Sequence, residues 1–169
     1  VFSSIFFGVI ESQFIVHAGE ILVKEYLVGF LLTCYFIAES FIQPLAGRLS
    51  DVIGRHRTIL LAFVMCAFGF LIIIFPPSFA SLLIAIVVVG AGVGTLYVAP
   101  TALLMDVASP SQRGLISGFQ NIAWGAGYFL GPMLGGVAAA YSVTAPYILC
   151  IIGSAIGCTL SLVTYAKRI

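Results

Sequence analysis

Apolar residues occur along the chain in six long runs, each close to the length of about 20 residues that an α-helix needs to cross a bilayer. The runs extend over Val1 to Ala18, Tyr26 to Ala46, Thr58 to Phe75, Phe79 to Met105, Leu115 to Tyr141 and Ala145 to Ala166. They are continuous and do not alternate at every second residue, which favours helices over barrel strands. The stretches between them are rich in Gly, Pro, Ser and charged residues, as turns are. The pattern predicts an all-α membrane protein with six transmembrane helices.

The composition excludes several other classes of protein. Of 169 residues, 62% are hydrophobic and 8% are charged, which no soluble globular domain carries. The net charge of +1 and the lack of a polybasic segment argue against nucleic-acid binding. The four cysteines lie singly in apolar runs and are expected to be packing residues. No nucleophile with a nearby base, metal-ligand spacing or phosphate-binding loop is evident, so we expect no enzyme activity, no metal and no cofactor.

The basic residues predict the orientation of the six spans. Successive connections lie on opposite membrane faces, and one face receives Arg48, Arg55, Arg57, Arg113, Lys167 and Arg168. The other face receives Lys24 alone. The positive-inside rule then places the 47–57 connection, the 106–114 connection and both ends in the cytoplasm, of a plasma or cell membrane. The chain does not begin with Met, and we expect it to be truncated at its start.

The charged stretch from Gly47 to Arg57 joins the second and third spans. We expect Gly47 to admit a neighbouring helix and Gly54 to permit a tight reversal. Asp51 and Arg55 are four residues apart and can pair locally. A basic membrane anchor followed by a turn is the simpler interpretation of these charges.

Two carboxylates, Glu11 and Glu39, lie inside predicted spans. A charge at mid-bilayer costs about 2.5–3.5 kcal/mol on insertion scales, so such residues usually face a watery cavity or a partner. Tyr35, Glu39 and Gln43 are spaced by four and predict one polar stripe on the second span. A carboxyl group in apolar surroundings without a cation retains a proton more readily than in water, as a proton carrier requires. A structural pairing of these acids is the alternative.

Spans four and five carry further polar and aromatic residues. Gln120 and Trp124 share a helix face and could bind an amphiphilic solute, together with Tyr97 and Asn121, although helix packing explains these four residues equally well. The connection after span four contains Asp106 and Arg113, whose simplest interpretation is a solvated pair.

Glycines in the fifth span form another pattern. Gly127, Gly131 and Gly135 share one helix face, a groove that admits another helix backbone at close range. Pro132 removes a hydrogen-bond donor and favours a bend. Ordinary packing of small residues is the simpler interpretation.

Two of these patterns resemble those of one family, the major facilitator superfamily. The string G-x-x-x-D-x-x-G-R-x-R at 47–57 resembles its signature between spans two and three. The resemblance implies that Asp51 and Arg55 lock the cytoplasmic gate against a helix of the second half. The string G-x-x-x-G-P-x-x-G-G, ending at Gly135 and Gly136, resembles motif C of its proton-coupled antiporters, which shapes a kink against the other half.

Weaker likenesses extend over the rest of the chain. Glu11 resembles the first-span acid of antiporters, and Asp106 with Arg113 resembles the connection between spans four and five. The glycines of the fourth span resemble motif B, but Ile86 stands where drug antiporters carry an Arg.

Residues 1–169 thus resemble the N-terminal six-helix half of a twelve-span transporter with a 3+3 inverted repeat, whose C-terminal half is absent. The resemblance implies secondary active transport of a small, amphiphilic solute by alternating access, as proton-coupled export, with Glu11 and Glu39 as proton-site candidates. The implied partners are a small-molecule substrate, protons, the lipid bilayer and the missing six-helix half. One alternative is uptake of a sugar, organic acid or similar solute by proton symport or uniport. Another is a membrane receptor or scaffold that transports nothing.

Overall fold

The computed structural model describes residues 2–21, 24–75 and 78–166. Over these residues the helices are α1 (Phe2–Val9), α2 (Ile15–Ile21), α3 (Glu25–Ile53), α4 (Arg55–Ile74), α5 (Phe79–Val107), α6 (Arg113–Ala139) and α7 (Ala145–Ala166). A π-helical turn, Ile10–Phe14, separates α1 from α2, and a 3-10 turn, Pro110–Gln112, precedes α6. These described ranges contain no strand, and the predicted all-α fold is confirmed.

The six predicted spans correspond to helices of the structure. Five of them, α3 to α7, are long and apolar enough to cross a membrane. The first predicted span consists of α1, the π-helical turn and α2 in succession. Because Val9 and Ile15 both keep right-handed helical backbone angles, these pieces form one continuous helix, which we call span 1.

The connection predicted over 47–57 is mostly helical, so that expectation is wrong. No helix-breaking residue occurs between Gly47 and Ile53, and α3 therefore continues to Ile53 before α4 begins at Arg55. Gly54 alone interrupts the two helices, with φ 95° and ψ 148°. A residue with a Cβ resists this conformation. The reversal thus depends on a single glycine.

The structure describes only part of the turn predicted before α5 and of the C-terminal end. Pro76 and Pro77, which belong to the turn expected before α5, lie outside the described residues, as do the cations Lys167 and Arg168. Ser78 caps α5: its hydroxyl accepts a hydrogen bond from the Ser81 backbone N–H at 3.2 Å, while the Ser81 hydroxyl accepts one from the Ser78 N–H at 2.8 Å. This reciprocal capping fixes the start of the helix.

Helix α5 is central to one part of the bundle, because it packs along both α3 and α4. Its glycines allow this close packing. A Cβ on Gly90 would lie 2.6 Å from the carbonyl oxygen of Tyr35 on α3, and one on Gly92 would lie 2.6 Å from the sulfur of Cys66 on α4. Helix α7 packs on α4. Helix α6 packs on α1, which in turn contacts α5 and α7.

The outer surface is apolar, as a bilayer requires. Phe41 of α3 and Phe129 of α6 are 74% and 71% exposed, and all five long helices carry further exposed Leu, Ile, Val or Phe side chains. Such extensive apolar exposure marks a surface that contacts lipid or another protein surface. The cysteines are free and at least half-buried, as expected of packing residues.

Candidate functional site

A polar cavity of about 380 Å³ opens on one side of the bundle. Helices α3, α5 and α6 form it, and its lining residues are Glu39, Gln43, Tyr97, Asn121, Trp124 and Tyr128. Its volume lies in the range of small-molecule pockets, about 300–1,000 Å³. Glu39 is the one charged group among these lining residues, so the cavity offers a carboxylate without a compensating cation.

The position of Glu39 follows from the crossing of α3 and α5. Gly94 of α5 lies directly against the backbone carbonyl of Glu39, and a Cβ at Gly94 would collide with that oxygen. The side chain of Glu39 is half-buried. A carboxylate held this way, inside a predicted span and open to a cavity, is the arrangement expected for an intramembrane acid with a function.

The predicted polar stripe on α3 holds for Glu39 and Gln43 and is wrong for Tyr35. Tyr35 is 1% exposed and packs edge-on against Phe7 of α1, with ring centroids 5.8 Å apart. The reason is helical geometry: residues four apart drift by about 40° around the helix axis, so Tyr35 and Gln43 point about 80° apart. Tyr35 therefore belongs to the core and does not line the cavity.

Aromatic rings form one wall of the cavity. The rings of Tyr97 and Trp124 meet edge to face at 5.0 Å, and Trp124 lies 5.6 Å from Tyr128. Tyr128 in turn contacts Phe7 at 4.9 Å. The Tyr97–Trp124 and Tyr128–Phe7 pairs are edge to face, a geometry that holds each ring in a defined orientation. The wall thus presents apolar faces beside the Glu39 carboxylate.

Glu11 lies apart from the polar cavity. It occupies the π-helical turn of span 1, and its side chain is exposed. Of the two predicted acids, the structure places only Glu39 in the lining of the cavity. Single π-turns within helices occur frequently at functional sites.

Gln120 points away from the polar cavity into an adjoining apolar one of about 420 Å³. Its amide nitrogen donates a hydrogen bond to the hydroxyl of Thr101. Trp124 and Tyr97 line both cavities. Gln120 and Trp124, predicted to share a face, therefore both line the apolar cavity, and Trp124 alone of the two also lines the polar one.

Sequence reasoning does not single out Tyr128, and it ranks Tyr97 and Asn121 below the predicted site residues. The signal that would identify Tyr128 is its spacing of four from Trp124, which repeats the spacing of Gln120 and Trp124. No comparable signal links Tyr97, on α5, with the two rings on α6.

Arg55 is the centre of a charged cluster at one end of the bundle, which we call the charged end. Its guanidinium contacts Asp51 at 2.6 Å and the Ser50 hydroxyl at 2.7 Å, both on α3. It also donates to both carboxylate oxygens of Asp106 on α5, at 2.9 and 3.5 Å. One side chain therefore links the ends of three helices. Bidentate contacts of this kind fix geometry as well as charge.

The simpler interpretation of Asp106 and Arg113, a solvated pair, is wrong. Asp106 binds Arg55, and Arg113 forms no ion pair with any residue of the described ranges. The expectation for Gly47 also fails, because a Cβ there would lie 3.8 Å from Val98, an ordinary van der Waals distance. Arg57 is exposed at the start of α4. Neither Gly47 nor Arg57 takes part in the Arg55 cluster.

The glycine face of α6 is occupied by span 1. A Cβ on Gly131 would lie 2.7 Å from the carbonyl oxygen of Ile5, and one on Gly135 would lie 2.9 Å from the Gln13 side chain. Gly127 lies directly against Ser4. The predicted groove thus exists, but within the described chain it accepts α1 and the π-helical turn rather than another half. Gly136 points outwards and is exposed.

Pro132 lies inside α6, which continues through it from Arg113 to Ala139. The side chain of Pro132 is close to Gly8 of α1, where a Cβ would lie 2.8 Å from the proline ring. Gly8 of α1 and Gly131 of α6 therefore both allow these two helices to cross at close range.

Comparison with known proteins agrees with this architecture. The family model of the Major Facilitator Superfamily matches residues 1–168. A multidrug resistance protein of Schizosaccharomyces pombe is 36% identical over 66% of this chain and 21% of its own length. A vacuolar basic amino acid transporter of Saccharomyces cerevisiae is 33% identical over 63% of this chain and 19% of its own. A class H tetracycline resistance protein of Pasteurella multocida is 31% identical over 82% of this chain and 34% of its own length.

This chain spans only 19 to 34% of the length of these relatives. The names of the family and of the relatives describe transporters and resistance proteins, not enzymes. The apolar helices and the match over nearly all its residues agree on an integral, multi-pass membrane protein. The chain belongs to the Major Facilitator Superfamily.

Proposed function

We propose that this chain forms part of a secondary transporter that exports a small, amphiphilic solute in exchange for protons. The observation that carries the proposal is the half-buried carboxylate of Glu39 in an open cavity with an aromatic wall. The amphiphilic character follows from this combination of a carboxylate with apolar ring faces. Relatives named for resistance to tetracycline and to multiple drugs support export.

Glu39 is proposed as the site that protons and solute occupy in turn. The residues lining its cavity include no Lys or Arg, so the carboxylate is neutralised either by a proton or by a positively charged group of the solute. Mutually exclusive occupation of one carboxylate couples the two movements in opposite directions. Glu11, an acid in the π-helical turn of span 1, is proposed as a second proton site.

We propose that these helices are the N-terminal half of the transporter and that a C-terminal six-helix half closes the cavity. The open side of the cavity and the exposed apolar residues on α3 and α6 support a partner surface there. Alternating access would then be a rocking of one half against the other. The charged end would face the cytoplasm of a plasma or cell membrane, and both ends of the chain would lie on that side.

The Arg55 cluster is proposed to hold the charged end closed in one of the two states. Arg55 connects α3, α4 and α5, so its bonds to Asp51 and Asp106 oppose any separation of these helix ends. Rocking of the halves alone leaves these bonds intact, so opening at this end breaks some of them only where α3, α4 and α5 also move apart. The cluster would therefore affect the rate of transport more than the affinity for the solute.

Transport in everted membrane vesicles tests the proposal. An acidic interior should drive accumulation of a cationic, amphiphilic dye by the full-length protein, and Glu39→Gln should abolish the dependence on the pH gradient. Glu25→Gln is the matched control, since Glu25 lies exposed at the start of the same helix. It should leave accumulation unchanged. Glu11→Gln is expected to weaken the coupling.

Other outcomes of the same assay identify the alternatives. Accumulation that needs the opposite gradient would mean proton symport, and accumulation that ignores pH would mean a uniporter. If Glu39→Gln transports normally across pH, the proposed role of Glu39 is refuted. A purified protein that binds solutes but moves none would indicate a receptor or scaffold.

A further inference from the structure

The apolar cavity beside the polar one has no role in the function proposed so far. It lies between α5 and α6, with Phe2 of α1 and Phe63 of α4 as its floor. Its lining extends along α5 from Leu96 to Leu104, which corresponds to about 12 Å of helix towards the charged end. Its volume of about 420 Å³ is sufficient for a small organic group.

Two rings separate this cavity from the polar one. Tyr97 and Trp124 line both cavities and meet edge to face, so one side of the pair faces Glu39 and the other faces the apolar cavity. The two spaces are therefore neighbours across a wall of two side chains. A molecule whose polar end lies against Glu39 reaches the apolar cavity only if it passes around the two rings or if the rings move aside.

Two polar side chains of the apolar cavity, Gln120 and Thr101, are bonded to each other. The Gln120 amide donates to the Thr101 hydroxyl, which donates to the backbone carbonyl of Tyr97. Because these polar groups are already hydrogen-bonded, an apolar group that displaces water from the cavity leaves them with partners, and the free-energy cost of removing the water is lower. The remaining wall is formed mainly by Leu, Ile, Phe and Ala side chains. The cavity thus suits a hydrocarbon rather than a charged group.

We propose that this cavity is the subsite for the hydrocarbon part of the transported solute, and that its volume sets the longest chain the protein accepts. The inference rests on the proposed function, because it assumes that the polar end of the same solute binds at Glu39. The transported molecule is then a cation joined to an alkyl or aryl group. Ala123 and Leu104, on facing helices, are the residues that determine the chain length.

Binding of alkyltrimethylammonium ions, from butyl to octyl and each with a terminal bromine, tests the subsite in the full-length protein. Bromine quenches tryptophan fluorescence at short range, and Trp124 is the single tryptophan of this chain. The signal of a Trp124→Phe variant is subtracted to remove any other tryptophan. Apparent affinity should rise about fourfold for each added methylene until the cavity is full.

Two substitutions should move this limit in opposite directions. Ala123→Leu fills part of the cavity and should weaken binding of the octyl ion about tenfold or more while leaving the butyl ion unchanged. Leu104→Ala enlarges the cavity, so the apparent affinity should go on rising with chain length for about three more carbon atoms, the difference between the two side chains. Leu115→Ala is the matched control, because Leu115 is 64% exposed and lies outside the cavity. It should leave the curve unchanged.

Several results would overturn the subsite. One is a chain-length curve that is flat or that neither Ala123→Leu nor Leu104→Ala shifts. Another is quenching of Trp124 by brominated lipid that the octyl ion does not displace, which would assign the cavity to a lipid chain. Curves that shift as expected in a protein that moves no solute would refute the proposed function and support the subsite. Normal proton-driven transport with unshifted curves would refute the subsite alone.

Discussion

Gly131 of α6 lies against the backbone of α1, and replacing it with alanine tests the crossing of these helices. The added Cβ would lie 2.7 Å from the Ile5 carbonyl oxygen and 2.9 Å from the Gly8 Cα. Both contacts are with backbone atoms, so no side chain can rotate away to relieve them. The two helices would have to separate, which would loosen the packing along the whole crossing.

The expected magnitude comes from two opposing effects. Overpacking a close contact costs about 1–3 kcal/mol. Replacing glycine by alanine inside a helix stabilises it by about 0.5–1 kcal/mol. Gly125 is the matched control, because it lies in the same helix and a Cβ there would have no neighbour within 4 Å. Both variants gain the helix propensity, so Gly131→Ala should be less stable than Gly125→Ala by about 1–3 kcal/mol.

Thermal unfolding of the detergent-solubilised protein measures this difference. Cys66 and Cys150 are 0% and 2% exposed, so a maleimide dye reacts with them only as the bundle opens. A shift of about 2–4 °C per kcal/mol predicts that Gly131→Ala melts about 2–12 °C below Gly125→Ala. If the two variants melt together, or if Gly131→Ala is the more stable, span 1 does not pack on the glycine face of α6.

Two further predictions concern the charged end. Gly54→Ala forces a Cβ into a backbone conformation with φ 95° and should lower the free energy of unfolding by about 1–3 kcal/mol. Gly114→Ala, at an open helical position, should not lower it. The same thermal melts measure both variants. Asp106→Asn removes the anionic partner of Arg55 on α5 and should change the rate of transport in vesicles, while Arg113→Gln should not. Equal effects of the last two variants would argue against a gate at Arg55.

The fold follows closely from the sequence, while the candidate site does so only in part. Six spans are readable because each apolar run is long enough to cross a bilayer and ends at polar or turn residues. Glu39 is identifiable as a site residue because an acid within an apolar run is costly. The apolar cavity is not identifiable, since an alanine or a leucine in a span has no unusual cost and its surroundings depend on other helices. The spacing of four places Tyr128 on one helix face with Trp124, but it does not show that this face lines a cavity.

The sequence by itself determined which segments are helical, because a backbone in lipid must satisfy its hydrogen bonds within each segment, and that is a local requirement. Only the tertiary structure decided which surfaces meet. It turned Tyr35 into the core while Glu39 lines a cavity, placed span 1 on the glycines of α6, and joined Arg55 to Asp106 across 51 residues of sequence. These outcomes depend on the rotation and crossing of helices that are remote in the chain, and no local pattern encodes a rotation.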